Sequence, residues 1–142
     1  MEPELVVAAI LVDDLAAPTR VLAARRVTPT ELVGRWEFPG GRVEPGESPI
    51  DALLRELREE LVVEVRLGPE LVRPGGRPWP ISAAYVLRLW FAVPLTVPSP
   101  TSSHDELRWL TQAELHDLDW LDTDREVVAL LAPHLATQLD RS

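Results

Sequence analysis

The sequence predicts an α/β protein in which a mixed β-sheet is flanked by helices. Apolar and β-branched runs recur between residues 5 and 110 and interleave with helical patterns, without strict strand–helix–strand alternation. Segment 48–61 carries the start signal, period and length of an amphipathic helix. At 142 residues the chain has the size of one domain, expected over 1–142.

Leu5–Val12 is an apolar run that reads as a buried strand, and Arg20–Ala24 as a second. Between them Asp13–Thr19 holds two aspartates and a proline, a turn composition. Arg25–Gly34 reads as a loop, and Gly40-Gly41 as a tight turn. Ser48 is a helix N-cap with Pro49 at the first helical position and Asp51 three residues after the cap. Ile50, Leu53, Leu54, Leu57 and Leu61 then recur at helical spacing and form the buried face. Val62–Leu67 is a strand leaving the helix, and Pro69–Pro80, with its prolines and glycines, a loop. Ser82–Val93 is a long strand signal, Pro94–Ser103 a loop of mobile composition, and Glu106–Leu110 a short strand. Thr111 with Glu114 and Thr123 with Glu126 are capping-box patterns. The second opens a final helix over 124–132, which Pro133 should end.

Composition narrows the function. There is no cysteine, hence no disulfide and no thiolate metal site, and the three histidines lack clustered ligand spacing. No stretch approaches the ~20 apolar residues of a membrane span, and the N-terminus is acidic. A soluble cytoplasmic protein is expected. The net charge of −9 argues against a nucleic-acid polymer as partner, but not against a single nucleotide carried with a cation. All fourteen basic residues are arginine, which reflects genome composition more than chemistry.

The most informative stretch is 41–60. Glu47, Glu56, Glu59 and Glu60 are gathered onto or beside the helix, next to the glycine pair. Oxygen-only ligands crowded in this way suit a hard divalent cation such as Mg²⁺. Glu56 shares a helix face with Glu60 and adjoins Glu59, so like charges converge and repel. On a generic helix the plain reading is a solvated acidic face, partly balanced by Arg55 and Arg58. The glycine pair, together with the match of the segment's spacing to a known family signature, favours a metal instead.

That spacing runs Gly41, five residues, Glu47, seven residues, then Arg55-Glu56-Leu57-Arg58-Glu59-Glu60. It resembles the signature box of the Nudix hydrolases, with Leu57 and Val63 at the two bulky aliphatic positions and Val62 where the box has glycine. Trp36–Glu44 looks like the MutT-like branch, the nucleoside triphosphate pyrophosphohydrolases. The resemblance implies an α/β/α sandwich and a Mg²⁺ cofactor, with Mn²⁺ as substitute. It implies that Glu56, Glu59, Glu60 and the Gly40 carbonyl bind the cations. By the same resemblance Glu56 or a neighbour such as Glu59 handles the attacking water, and Arg55 holds Glu47. Arg42 follows the glycines and can reach phosphate oxygens. The further acidic ligand that many members supply before the late strand falls here on Ser103, followed by His104, Asp105 and Glu106. Asp105 or Glu106 is expected to swing in, or one metal to be held by water. Either Val62 takes a left-handed conformation and is strained, or the chain leaves the helix without a left-handed residue; in both cases the cost is to stability, not activity.

The same branch suggests a base pocket lined by Arg26, Glu37 and Phe38, although Phe38 reads equally as core. Asp124 falls where the 8-oxoguanine branch has a base-reading asparagine. An ionised aspartate only accepts hydrogen bonds, which suits the cytosine amine and tilts the substrate towards cytidine nucleotides, with 8-oxo-dGTP next. The reading is Mg²⁺-dependent hydrolysis of a (deoxy)nucleoside triphosphate to the monophosphate and pyrophosphate, for pool sanitation or pyrimidine control, by a monomer or homodimer. The alternatives are hydrolysis of ADP-ribose or a diadenosine polyphosphate, and a non-catalytic nucleotide sensor.

Overall fold

In the computed structural model, which describes residues 2–136, eight strands and two α-helices build two sheets. The strands are β1 (Glu4–Leu11), β2 (Val21–Arg26), β3 (Trp36–Glu37), β4 (Gly40–Arg42), β5 (Val65–Leu71), β6 (Trp79–Pro80), β7 (Tyr85–Pro94) and β8 (His104–Leu110). The helices are α1 (Pro49–Leu61) and α2 (Asp122–Leu131). The larger sheet has the order β4-β1-β7-β5, with β6 also on β7, and the smaller is β3-β2-β8. β1 and β7 are parallel and the other pairs antiparallel, so the sheet is mixed as expected.

β1 is apolar on both faces because both are covered. Ala8 and Ile10 point into one core with Val127, Val128 and Leu131 of α2. Val7, Ala9 and Leu11 point into another with Ala52, Leu53, Leu57 and Leu61 of α1. Alternation along one central strand thus sets a helix on each side, which is the α/β/α layering. Each fully buried leucine contributes about 1.5–3 kcal/mol.

Helix α1 begins as the sequence dictates. Ser48 Oγ accepts from the Asp51 N–H at 3.1 Å and Pro49 occupies the first turn. It ends on Val62 at φ 51°, ψ 45°, a left-handed conformation that a β-branched residue adopts only under strain. Val62 is 63% exposed, so little packing holds it there. Val62→Gly is expected to raise stability by roughly 0.5–1 kcal/mol. Chemical denaturation measures this, and a loss of stability would contradict it.

Several boundaries differ from the expectation. Gly40-Gly41 is not a turn but strand β4, paired with β1. Glycine is needed there for closeness: a Cβ on Gly40 would stand 1.9 Å from the Val7 carbonyl oxygen. The expected loop 69–80 gives its ends to strands. Pro69 is tolerated because β5 lies at a sheet edge and its register shifts between Leu67 and Glu70. Helix α2 starts before Thr123, with Leu121 as N-cap and no side-chain cap. The reason is tertiary: Leu121 N–H donates to the Trp36 carbonyl, and Trp36 N–H to that of Asp119. Thr111 and Glu114 do form a capping box, on a 3₁₀ helix over Gln112–Asp117. Segment 95–103, expected as a mobile loop, docks on the end of α1. Ser99 N–H donates to Leu61 O and Thr101 Oγ1 to Glu60 O, each at 2.8 Å, which satisfies carbonyls the helix leaves open. Among the described residues no helix is long and apolar enough to cross a membrane.

Candidate active site

The site lies where α1, the 36–42 segment, the bulged pairing of β2 with β8, and the start of α2 meet. Arg55, in mid-helix, is its hub. Its Nε and Nη2 donate to the two oxygens of Glu47 at 2.7 and 3.0 Å. Its Nη1 donates to Glu56 at 2.9 Å and to Glu59 at 3.1 Å, and its Nη2 also reaches the Arg42 carbonyl. The guanidinium is held more firmly protonated than usual, chiefly by Glu47. A Cβ on Gly41 would lie 2.3 Å from the Glu56 carboxyl carbon, so the second glycine lets that carboxylate sit against the strand.

Glu60 turns the other way. It is half-buried, its Oε2 is covered and has no hydrogen-bond partner among the described residues, and the Gly40 N–H faces it. Burial first, then the charges of Glu37 and Glu56, push its carboxyl up to about 8. Glu56 is also raised, by burial, against the pull of Arg55. The expected convergence of Glu56, Glu59 and Glu60 is not preformed: among the described residues no three acidic or histidine side chains are gathered tightly enough to hold a metal. The physical reason is Arg55, which draws Glu56 and the exposed Glu59 to itself. The donor set nonetheless fits a hard cation. A covered carboxylate oxygen without a partner among the described residues, beside further carboxyl groups, is a site a divalent ion would satisfy.

This gives the metal-free protein a pH signature. An unfolded glutamate loses its proton near 4.5, whereas folded Glu60 keeps it to about 8. Its contribution is complete below 4.5 and is lost as pH rises towards 8. Metal-free protein should melt at lower temperature as pH rises through this window, and Mg²⁺ should raise the melting temperature more at the upper end than at the lower. Scanning fluorimetry with and without Mg²⁺ measures it; a Mg²⁺ shift independent of pH would contradict it.

On the far side of Glu60 stands Glu37, buried. Arg26 Nη1 donates to both its oxygens at 2.9 Å, and His104 Nε2 lies 2.8 Å from its Oε2. Beyond Glu37 is Asp124 in the first turn of α2, 5% exposed, accepting from the Phe38 N–H. Burial first and Glu37 second hold its carboxyl well above the usual aspartate range. Burial thus favours the protonated form of Asp124 over the ionised form expected from the sequence; a protonated carboxyl carries one donor and one acceptor. Asparagine carries the same pair.

Other expectations shift as well. Phe38 is 3% exposed and stacks on Trp120 at 4.8 Å, so its ring belongs to the core and only its N–H serves the site. Arg42 lies exposed at the sheet edge and donates to Tyr85 Oη at 3.1 Å. Neither Asp105 nor Glu106 swings in. Arg25 holds Asp105 through two bonds of 2.7 and 3.0 Å and stands 3.5 Å from Glu106. The nearest extra carboxylate is instead Glu37. Sequence reasoning missed His104, whose place depends on the β2–β8 register that sets it against Arg26; no local pattern marks it.

Residues 3–131 match the family model described as NUDIX domain. A Mycobacterium tuberculosis protein named "Putative 8-oxo-dGTP diphosphatase 2" is 41% identical over 119 residues, 79% of each chain. The Escherichia coli CTP pyrophosphohydrolase is 49% identical over 63 residues, 44% of each. The solution structure of the E. coli ORF135 protein superposes with a TM-score of 0.73 at 28% identity, covering 94% of this chain and 91% of that one. The chain belongs to the Nudix family of hydrolases.

Proposed function

We propose that the protein hydrolyses (deoxy)nucleoside triphosphates of cytidine type, or oxidised ones such as 8-oxo-dGTP, to the monophosphate and pyrophosphate. The observation that carries this is the row of carboxyl groups from Glu56 through Glu60 and Glu37 to Asp124, which joins a cation-hungry end to a buried acid whose protonated, donor–acceptor form burial favours. A nucleotide with Mg²⁺ has the matching polarity. Glu56, Glu59, Glu60 and the Gly40 carbonyl are the proposed ligands, with Mn²⁺ as a substitute ion. A bound divalent cation supplies charge neutralisation at the phosphates and a nucleophilic water. Arg55 fixes Glu47 and Glu56, and Glu56, raised by burial, orients or deprotonates the water. Arg42, exposed at the sheet edge, is the proposed contact to phosphate oxygens. Arg26 and Glu37 brace the base end.

When protonated, Asp124 can present donor and acceptor in either order. It can meet the amine and ring nitrogen of cytosine, or the N7–H and O6 of 8-oxoguanine. This supports a substrate range that includes both activities named among the relatives. The test is kcat/KM with Mg²⁺ for CTP, dCTP, UTP, dUTP, dGTP, 8-oxo-dGTP, ADP-ribose and diadenosine tetraphosphate. Highest values on cytidine triphosphates or 8-oxo-dGTP support the reading. Preference for ADP-ribose or the diadenosine compound, or no turnover at all, would overturn it.

A further inference from the structure

His104 is the one buried polar side chain of the site without an assigned task. Its side chain has no exposed surface, and Nε2 is 2.8 Å from Glu37 Oε2. A carboxylate only accepts, so the ring carries its proton on Nε2 and donates it. Nδ1 then has no partner among the described residues. A leucine or phenylalanine would fill the same space without leaving a bare nitrogen. Packing therefore does not account for histidine here, whereas the bond to Glu37 does.

Glu37 is the acid whose charge is felt at both ends of the site, by Glu60 and by Asp124. Arg26 Nη1 holds both of its oxygens from a single nitrogen and leaves the carboxylate free to pivot. The His104 bond comes from a different strand, at the irregularity where β8 passes Arg26. Two donors from two strands fix the carboxylate plane; one does not. We propose that His104 is a positioning residue for hydrolysis: its Nε2–H locks the Glu37 carboxylate between Glu60 and Asp124, and so keeps the cation end and the base end in register. This rests on the nucleotide-hydrolase reading above.

The test is a mutant cycle on the full chain with Mg²⁺, using the nucleotide the wild type turns over best. His104→Phe keeps the ring shape and removes the donor. His104→Gln keeps a donor at comparable reach, and His104→Asn carries one too short to reach Glu37. Phe and Asn are expected to lower kcat/KM by about tenfold or more, with Gln within about threefold of wild type. His104→Phe combined with Glu37→Gln should be no worse than Glu37→Gln alone, because the histidine acts through that carboxylate. Circular dichroism and melting curves establish that each variant is folded, and the Asn variant serves if Phe does not fold. Equal losses for Asn and Gln, or additive losses in the double variant, would overturn the role of His104 while leaving the reading of function intact. A wild type inactive on every nucleotide would overturn both.

Discussion

Glu60→Gln is expected to abolish most of the activity while making the metal-free protein more stable. Glutamine keeps the shape but removes the charge, which should weaken cation binding and lower kcat by about 100-fold or more. Without metal, that charge is a liability, since the half-buried Glu60 lies beside Glu37 and Glu56 with a covered oxygen that has no partner among the described residues. A neutral side chain relieves this, so the melting temperature of the metal-free variant should exceed that of the wild type near pH 8, where Glu60 ionises. Glu59→Gln should lower kcat comparably without that gain, because Glu59 is exposed and paired with Arg55. Steady-state kinetics and EDTA-treated melts measure both. Wild-type turnover in either variant would remove the metal assignment.

Asp124→Ala is the second large effect. Removing the only side chain proposed to read the base edge leaves the substrate's donor and acceptor unmatched in a buried place. The cost is about 1–3 kcal/mol, or roughly 5- to 150-fold in kcat/KM. Asp124→Asn should stay within several-fold of wild type, because an amide presents the donor and acceptor that a neutral acid presents. A protonated Asp124 weakens the discrimination between cytidine and uridine nucleotides that an ionised carboxylate would impose, so a cytidine preference is supported by the similarity to the CTP pyrophosphohydrolase and not by this residue. Full activity in Asp124→Ala would reduce Asp124 to a helix-start residue.

What was legible in the sequence was local. Helix α1 declared itself through Ser48, Pro49 and the leucine period, because capping and amphipathicity are properties of neighbours in the chain. The departure at Val62 was legible for the same reason, but the choice of a left-handed exit is seen only in the backbone. Gly40-Gly41 was misread because glycine serves both positive φ and close approach, and only the Val7 carbonyl decides between them. The charge state of Asp124 was hidden because it depends on burial and on Glu37, which distant segments bring together. Asp105 had the right chemistry for a ligand, but its neighbour across the strands is Arg25. Site residues fixed by long-range pairing leave no periodic trace, whereas the 41–60 glutamates are held at fixed spacing by one helix.

The most direct test is product analysis of CTP and 8-oxo-dGTP hydrolysis by ³¹P NMR, with Mg²⁺ and with EDTA. The account predicts monophosphate and pyrophosphate in equal amounts with Mg²⁺, and no products with EDTA. Orthophosphate with nucleoside diphosphate, or an undiminished rate in EDTA, would contradict it.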